Sequence, residues 1–222
     1  MWLERLVNVA GVTGQCGWSD WSVWLERLVN VAGATGQCGW SDCSVSITSV
    51  SPQAVRYKHK SCVSALVEAR ANPNSVDTND ETCLHYAARA DQLDILLLLF
   101  RGARPAVNRQ NKRGETPLWL AVSCEYLDIA RELLKLGADV NLADESGRTP
   151  LMMACSADSR ELVYLLLEFQ ADTELRDDHD WMAYDYAVNV NQEGACGKIL
   201  AEHCARTGTG SIVQGRVVVP AG

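Results

Sequence analysis

The chain has 222 residues, of which 47% are hydrophobic and 22% charged, values that exclude wholesale disorder and a fibrous fold. Its 28 acidic residues against 20 basic ones give a net charge of −8, which disfavours sequence-independent binding to nucleic acid or anionic lipid. No apolar run approaches the roughly 18 residues that a membrane-spanning helix needs. We therefore expect no nucleic-acid partner and no membrane insertion.

The nine cysteines are too scattered for a zinc site or a disulfide framework. No pair has CxxC spacing and no cysteine lies in a histidine cluster. We interpret them as small core hydrophobes of a reducing compartment, with the cytoplasm as the first expectation and the nucleus as the alternative. No metal or cofactor is predicted.

The first 46 residues are a tandem duplication with a period of 22. Residues 2–23 read WLERLVNVAGVTGQCGWSDWSV and residues 24–45 repeat them at all but two positions. We predict a separate Trp/Gly-rich segment, 1–46, that is poorly ordered or forms short helices. Residues 29–39 resemble a phosphate-binding loop, and an enzyme with a nucleotide-binding N-terminus is kept as a remote alternative. The segment leaves no room for the parallel sheet that such a loop requires.

A second period, of about 33 residues, follows. Its blocks read TCLHYAA at 82–88, TPLWLAV at 116–122, TPLMMAC at 149–155 and, with a degenerate start, MAYDYA at 182–187. An apolar helical pattern follows each block, at Leu93–Phe100, Leu127–Leu136, Glu161–Phe169 and Ala195–Ala201. Residues 63–74 match the second half of one more unit. The pattern predicts consecutive pairs of short helices.

Elementary capping chemistry explains the start and end of each unit. The threonine that opens a block can cap the first helix, and a proline in the first helical turn loses no hydrogen bond. Gly137 is expected to end a second helix in the left-handed conformation. Gly114 and Gly147 are expected in the turn before the next threonine, where Asp80 and Asp180 take the same place at some cost.

These blocks resemble the ankyrin repeat, with its T-P-L-H-x-A signature and 33-residue period. The resemblance covers about residues 48–206 and implies an all-α ankyrin-repeat solenoid of about four to five helix-turn-helix repeats with short projecting β-turns. The predicted domains are then 1–46, an ankyrin domain at 47–206, and a flexible tail at 207–222 with a strand-like run. A narrower resemblance, to the ankyrin blocks of POTE-type coiled-coil proteins, rests on 53–55, Cys62, 72–74 and 84–87.

The resemblance implies a protein-binding module, since stacked repeats expose their turns and inner helices as one extended surface. The residues that flank the turn glycine and follow the alanines are expected to face a partner. They include Arg89, Lys112, Arg113, Glu115, Glu145, Arg148, Asp178, His179 and Trp181. Basic residues cluster around the turn before Thr116 and acidic ones around the last turn, which predicts an electrostatically polarised surface. The alternative is ordinary solvated turns.

Two residues have individual hypotheses. Trp181 is expected to be a binding anchor, with a cap over the degenerate last repeat as the alternative. Asn141, in the string Leu133, five residues, Asp139-Val140-Asn141, is similar to the site in ankyrin proteins modified by the hypoxia-linked asparaginyl hydroxylase. Its alternative is a turn-stabilising asparagine.

The sequence as a whole predicts a monomeric interaction module or adaptor whose partners are proteins. No catalytic constellation is apparent, so we do not expect an enzyme. The near-perfect N-terminal duplication keeps open a second interpretation, a fragment or rearranged ankyrin gene product without independent function.

Overall fold

The computed structural model describes residue 55 and residues 60–68, 71–102, 104–190, 195–207, 211–213 and 216–218. The chain divides into two units, Met1–Ala106 and Val107–Gly222. The predicted N-terminal duplication, 1–46, lies outside the described residues.

The described part of the first unit contains three helices. They are α1 (Lys60–Glu68), α2 (Cys83–Arg89) and α3 (Leu93–Gly102). Both α1 and α2 pack against α3, and Val63, Leu84 and Leu96 are fully buried in this layer. The pair α2–α3 is one complete repeat, and α1 supplies the second helix of the unit before it.

The second unit contains three further helix pairs and a two-stranded ribbon. The helices are α4 (Pro117–Ser123), α5 (Leu127–Lys135), α6 (Pro150–Ser156), α7 (Arg160–Glu168), α8 (Ala183–Val190) and α9 (Ala195–Thr207). The inner helices α4, α6 and α8 pack side by side, and the outer helices α5, α7 and α9 form a second layer against them. Leu118, Leu133 and Leu166 are almost fully buried between the layers, and each contributes about 1.5–3 kcal/mol. The predicted all-α repeat solenoid is confirmed.

The opening threonines cap their helices as the sequence predicts. Thr116 Oγ1 accepts a hydrogen bond from Trp119 N at 3.1 Å, and Thr149 Oγ1 accepts one from Met152 N at 3.4 Å. In the first repeat His85 takes over part of this task, because its Nδ1 accepts from Thr82 N at 3.1 Å and lies 2.9 Å from Thr82 Oγ1. His85 is fully buried, so these two contacts lie in the interior of the repeat.

Left-handed residues mark the ends of the helices and the turns. Gly137 has a φ of 90°, and Gly114 and Gly147 have φ values of 71° and 75°. Asp80 and Asp180 adopt the same region at 59° and 65°. These conformations confirm the predicted roles of the glycines and of the two aspartates that replace them.

The buried cysteines of the repeats are free thiols. Cys83, Cys155, Cys196 and Cys204 are all buried and form no disulfide. Burial raises the pKa of the Cys83 and Cys196 thiols to about 12, and the pKa of Cys155 also rises, so these groups stay protonated near neutral pH. They act as small apolar side chains, as the spacing predicts.

After the last repeat, β1 (Ser211–Val213) pairs antiparallel with β2 (Arg216–Val218). Strand β1 contacts α9, so the segment predicted as a tail includes a short ribbon. The predicted domain boundaries at 46 and 206 stay predictions. Among the helices of the described residues, none has both the length and the apolar content needed to cross a bilayer.

Candidate partner-binding surface

Four turns, which precede α2, α4, α6 and α8, share the same internal hydrogen bonds. We call them fingers 1 to 4, and they span Asp77–Glu81, Asn111–Glu115, Asp144–Arg148 and Asp177–Trp181. In each, Oδ1 of the first residue accepts hydrogen bonds from the N–H groups two and four residues later, at 2.8–3.0 Å. One aspartate or asparagine therefore closes each finger and fixes its backbone.

The second polar side-chain atom of the anchor residue, Oδ2 or Nδ2, has a different hydrogen-bond partner in different fingers. The second carboxylate oxygen of Asp144 accepts from Nε and an Nη of Arg148, at 2.9 and 2.6 Å. In finger 2 the anchor is an amide, and Asn111 Nδ2 donates to Glu115 Oε2 at 2.8 Å. The acid anchor of finger 3 is thus paired with a base, and the amide anchor of finger 2 with an acid.

Tyrosine hydroxyls complete the anchors of fingers 1 and 4. Tyr86 donates to Asp77 Oδ2 at 2.7 Å, and Tyr186 donates to Asp177 Oδ2 at 2.6 Å. Burial opposes ionisation of both aspartates, but the hydrogen bonds from the tyrosine and the finger N–H groups outweigh it and lower the pKa of each. Burial and the Asp177 carboxylate raise the pKa of Tyr186 to about 12. Both carboxylates are therefore ionised, and both oxygens of each accept hydrogen bonds within the fold.

Backbone hydrogen bonds link finger 2 to finger 3 and finger 3 to finger 4. Glu145 N donates to Arg113 O at 3.0 Å, and Asp178 N donates to Ser146 O at 3.1 Å. The backbones come so close that a Cβ on Gly114 would lie 2.5 Å from Glu145 N. Glycine is needed there for close approach as well as for its φ. The three fingers form a row whose spacing is fixed by backbone contacts.

Asparagines join each repeat to the next at the far end of the finger loops. In the second unit Asn108 Oδ1 accepts from Asp139 N, and Asn141 Oδ1 accepts from Asp172 N, both at 2.9 Å. Asn141 N also donates to Asp139 Oδ1 at 2.9 Å. These bonds give Asn141 the turn-stabilising role that is its alternative interpretation, and its modification stays a prediction.

The finger tips place most of the predicted partner-facing residues in solvent. The exposed members are Lys112, Arg113, Glu145, Asp178, His179 and Trp181. Their backbones are held by the anchors and the inter-finger bonds, so the tips present side chains on a fixed frame. The binding of a partner to these side chains stays a prediction.

Three members of the predicted set turn inward. Glu115 is 7% exposed and bonds to Asn111, so the expectation that it faces a partner is wrong. Arg148 is half-buried, with its guanidinium 5.6 Å from the Trp119 ring centroid. Arg89 is half-buried between Tyr86 and an ion pair with Glu81. The residue after the turn glycine folds back toward its finger, a direction that the repeat frame alone does not reveal.

Trp181 differs from the other residues at its position. It is 39% exposed, whereas Glu81 and Glu115 are buried. Its ring packs edge-on against Tyr186, with the centroids 5.5 Å apart and the planes at 70°. The backbone N–H of Trp181 donates a hydrogen bond to Asp177 Oδ1 at 2.8 Å. The finger thus presents a fixed, partly exposed aromatic ring.

Charge changes sign along the row of fingers in the second unit. Arg109, Lys112 and Arg113 are exposed at finger 2, and Glu145 is exposed at finger 3. At finger 4 Asp178 and Asp180 are exposed, although Asp180 also pairs with Arg176 at 3.0 Å. This pair offsets part of the charge, but Asp178 forms no ion pair within the described part of the chain, so finger 4 stays acidic.

Two family models match the chain. Models described as ankyrin repeats in three copies and in many copies match residues 52–144 and 139–187, so that together they span more than half of the chain.

The curated relatives are much longer proteins. The chain is 37% identical over 86 residues to neurogenic locus notch homolog protein 4 of Homo sapiens, which is 39% of this chain and 4% of that protein. It is 32% identical over 91 residues to neurogenic locus notch homolog protein 1 of Mus musculus, 41% of this chain and 4% of that protein. It is 36% identical over 81 residues to alpha-latrocrustotoxin-Lt1a of Latrodectus tredecimguttatus, 36% of this chain and 6% of the toxin. The chain therefore spans only a small part of these relatives.

Proposed function

The chain belongs to the ankyrin-repeat family, and we propose that fingers 2 to 4 are the docking surface of a protein-interaction module. Ankyrin repeats generally mediate contacts between proteins, and repeat stacking creates extended surfaces suited to them. The role proposed is that of a non-enzymatic adaptor in the cytoplasm.

The observation that supports this proposal is the serial bonding of the fingers. A surface that is already ordered before binding loses little conformational entropy when a partner docks. The bonds from Glu145 to Arg113 and from Asp178 to Ser146 provide that order, and the exposed tip side chains provide the contacts.

The polarity of the fingers defines the chemistry of the partner. Basic finger 2 suits acidic side chains, and acidic finger 4 suits a lysine or an arginine beside an apolar group that can pack on Trp181. A partner segment with its acidic end toward finger 2 and its basic end toward finger 4 satisfies both.

The proposal predicts that Trp181→Ala weakens partner binding. Truncation of an exposed aromatic anchor costs on the order of 2 kcal/mol of binding, a decrease of roughly 30-fold in affinity. We would identify partners by quantitative proximity labelling with the full chain and then measure their affinities by calorimetry. The expected result is weaker binding with an unchanged melting midpoint.

A matched control separates binding from folding. Leu97 has the same 39% exposure but lies on α3, so Leu97→Ala should leave the same partners bound. If Trp181→Ala instead lowers the melting midpoint by several degrees and leaves the affinity of the folded protein unchanged, Trp181 is a cap and the anchor proposal is wrong.

We also propose that Asn141 is a substrate for asparaginyl hydroxylation, on the basis of its similarity to the family's modified sites. After incubation of the full chain with the hypoxia-linked hydroxylase, mass spectrometry should find one added oxygen on the peptide that contains Asn141. Asn108 is the internal control, because it occupies the corresponding turn without an aspartate two residues before it. Absence of the oxygen from the Asn141 peptide would rule out the modification.

A further inference from the structure

The outer helices α7 and α9 border an open groove that the finger surface does not include. Its volume is about 530 Å³, within the range of roughly 300–1,000 Å³ typical of binding pockets. Tyr164 and Glu168 line it from α7, and Ile199, Glu202 and Arg206 line it from α9. These positions are spaced by one helical turn, so the groove follows the direction of the helices.

The groove has an apolar floor with a partly exposed wall. Leu167 and Ile199 are 7% and 8% exposed and form the floor. Tyr164 is 58% exposed, the highest value among the large hydrophobic residues of the described part of the chain. An aromatic ring that stands free beside an apolar floor offers contact area to an aliphatic side chain.

The rim carries charges that the described residues do not neutralise. Glu168 and Glu202 are exposed on opposite walls, and Arg206 lies one turn beyond Glu202. None of the three forms an ion pair within the described part of the chain, in contrast to the surface pair of Lys135 with Glu132 at 2.7 Å. Two carboxylates against one guanidinium make the groove acidic.

His203 adds an unused hydrogen-bonding group. Its ring lines the groove, and its Nδ1 is buried without a hydrogen-bond partner among the described residues. Buried polar atoms without a partner are uncommon in folded proteins. The groove therefore combines apolar contact area, unneutralised acidic charge and unsatisfied polarity, which are the features of a surface that binds a second chain.

We propose that this groove docks a basic amphipathic helix of a partner protein. Leucine-like side chains of that helix would pack on Tyr164, Leu167 and Ile199, and its lysines or arginines would pair with Glu168 and Glu202. The lining residues run from Ile199 to Arg206 along α9, a rise of about 10 Å, which accommodates about two turns of helix. The acidic rim disfavours a second copy of this acidic chain as the occupant. This surface does not depend on the finger surface.

The test uses the full chain and a fluorescein-labelled 14-residue amphipathic helix built of leucine and lysine. A peptide with glutamate in place of every lysine is the charge control. Fluorescence anisotropy should show saturable binding of the lysine peptide and none of the glutamate peptide. The groove variant, Glu168→Gln with Glu202→Gln, should weaken binding of the lysine peptide about tenfold. Tyr164→Ala should weaken it about fivefold.

A control variant, Glu125→Gln with Asp128→Asn, removes two exposed negative charges between α4 and the first turn of α5, outside both the groove and the fingers. It should change the affinity less than twofold, and circular dichroism should show that all variants keep their helices. Three results would overturn the proposal: no binding of the lysine peptide, an unchanged affinity in the groove variant or in Tyr164→Ala, or an equal loss in the control variant. Since the fingers are untouched in the groove variant, the finger proposal stands or falls separately.

Discussion

Gly114→Ala should destabilise the protein by about 3 kcal/mol, through two separate physical effects. The φ of 71° places the new side chain in the left-handed region, which costs about 1 kcal/mol. The Cβ would also lie 2.5 Å from Glu145 N and 2.8 Å from Asp144 C. Both neighbours are backbone atoms, so the contact is relieved only if fingers 2 and 3 move apart.

Gly137→Ala is the matched control for this prediction. Gly137 has a φ of 90°, but nothing lies within 4 Å of the position that a Cβ would take, so alanine there meets only the backbone strain. Its loss should be about 1 kcal/mol. Urea unfolding followed by far-UV circular dichroism measures both variants. Equal losses would show that close packing of the fingers contributes nothing to stability.

In finger 4 an aspartate, Asp180, occupies the position that Gly114 and Gly147 hold in fingers 2 and 3. Asp180 has nearly the same φ as Gly147, at 65° against 75°. A Cβ on Gly147 would lie 2.9 Å from Asp177 Cα of the next finger, whereas the described part of the chain has no finger after the one that contains Asp180. Asp180 therefore has the strain of the left-handed backbone, without a close contact to a following finger in the described part of the chain.

The repeat frame could be predicted from the sequence because it depends on local chemistry. A threonine cap, a proline in the first turn and a left-handed glycine are each set by a few neighbouring residues, as at Thr116, Pro117 and Gly137. The 33-residue spacing then repeats the same local solution. Helix positions and the left-handed turns follow from this, and both are confirmed.

The interior of the fingers could not be predicted in the same way. The frame indicates which backbone positions project, but the inward direction of Glu115 depends on its contacts with Asn111 Nδ2, at 2.8 Å, and with Arg113, at 3.0 Å. The signal is present as the aspartate or asparagine that recurs at 77, 111, 144 and 177. It can be recognised once the residue that opens each turn is considered as a hydrogen-bond acceptor.

The groove is hidden in the sequence for a different reason. Tyr164 and Ile199 lie on different helices, and only the packing of α7 against α9 brings them to one surface. In the sequence, Glu168 belongs to the acidic cluster around the last turn. Its place on the groove rim depends on tertiary structure, which a periodic pattern does not contain.

Asp144→Ala should cost about 2–4 kcal/mol of folding free energy. The variant removes the acceptor of Ser146 N at 3.0 Å and of Arg148 N at 2.8 Å. It also removes the carboxylate that binds the half-buried Arg148 guanidinium. Each partly buried N–H left without an acceptor costs about 1–2 kcal/mol. Asp144→Asn keeps Oδ1, as Asn111 does in finger 2, and should cost about 1 kcal/mol.

A double variant tests whether the anchor and its partner act as one unit. Arg148→Glu alone should be strongly destabilising, because it sets two carboxylates against each other and removes the guanidinium from the Trp119 ring. Addition of Asp144→Asn reproduces the amide–acid pair of Asn111 and Glu115 and should recover about 1–2 kcal/mol. Urea unfolding of the four proteins gives the coupling energy. Strict additivity of the two substitutions would mean that the anchor closes the finger through its backbone bonds alone, and that its second atom has no part in stability.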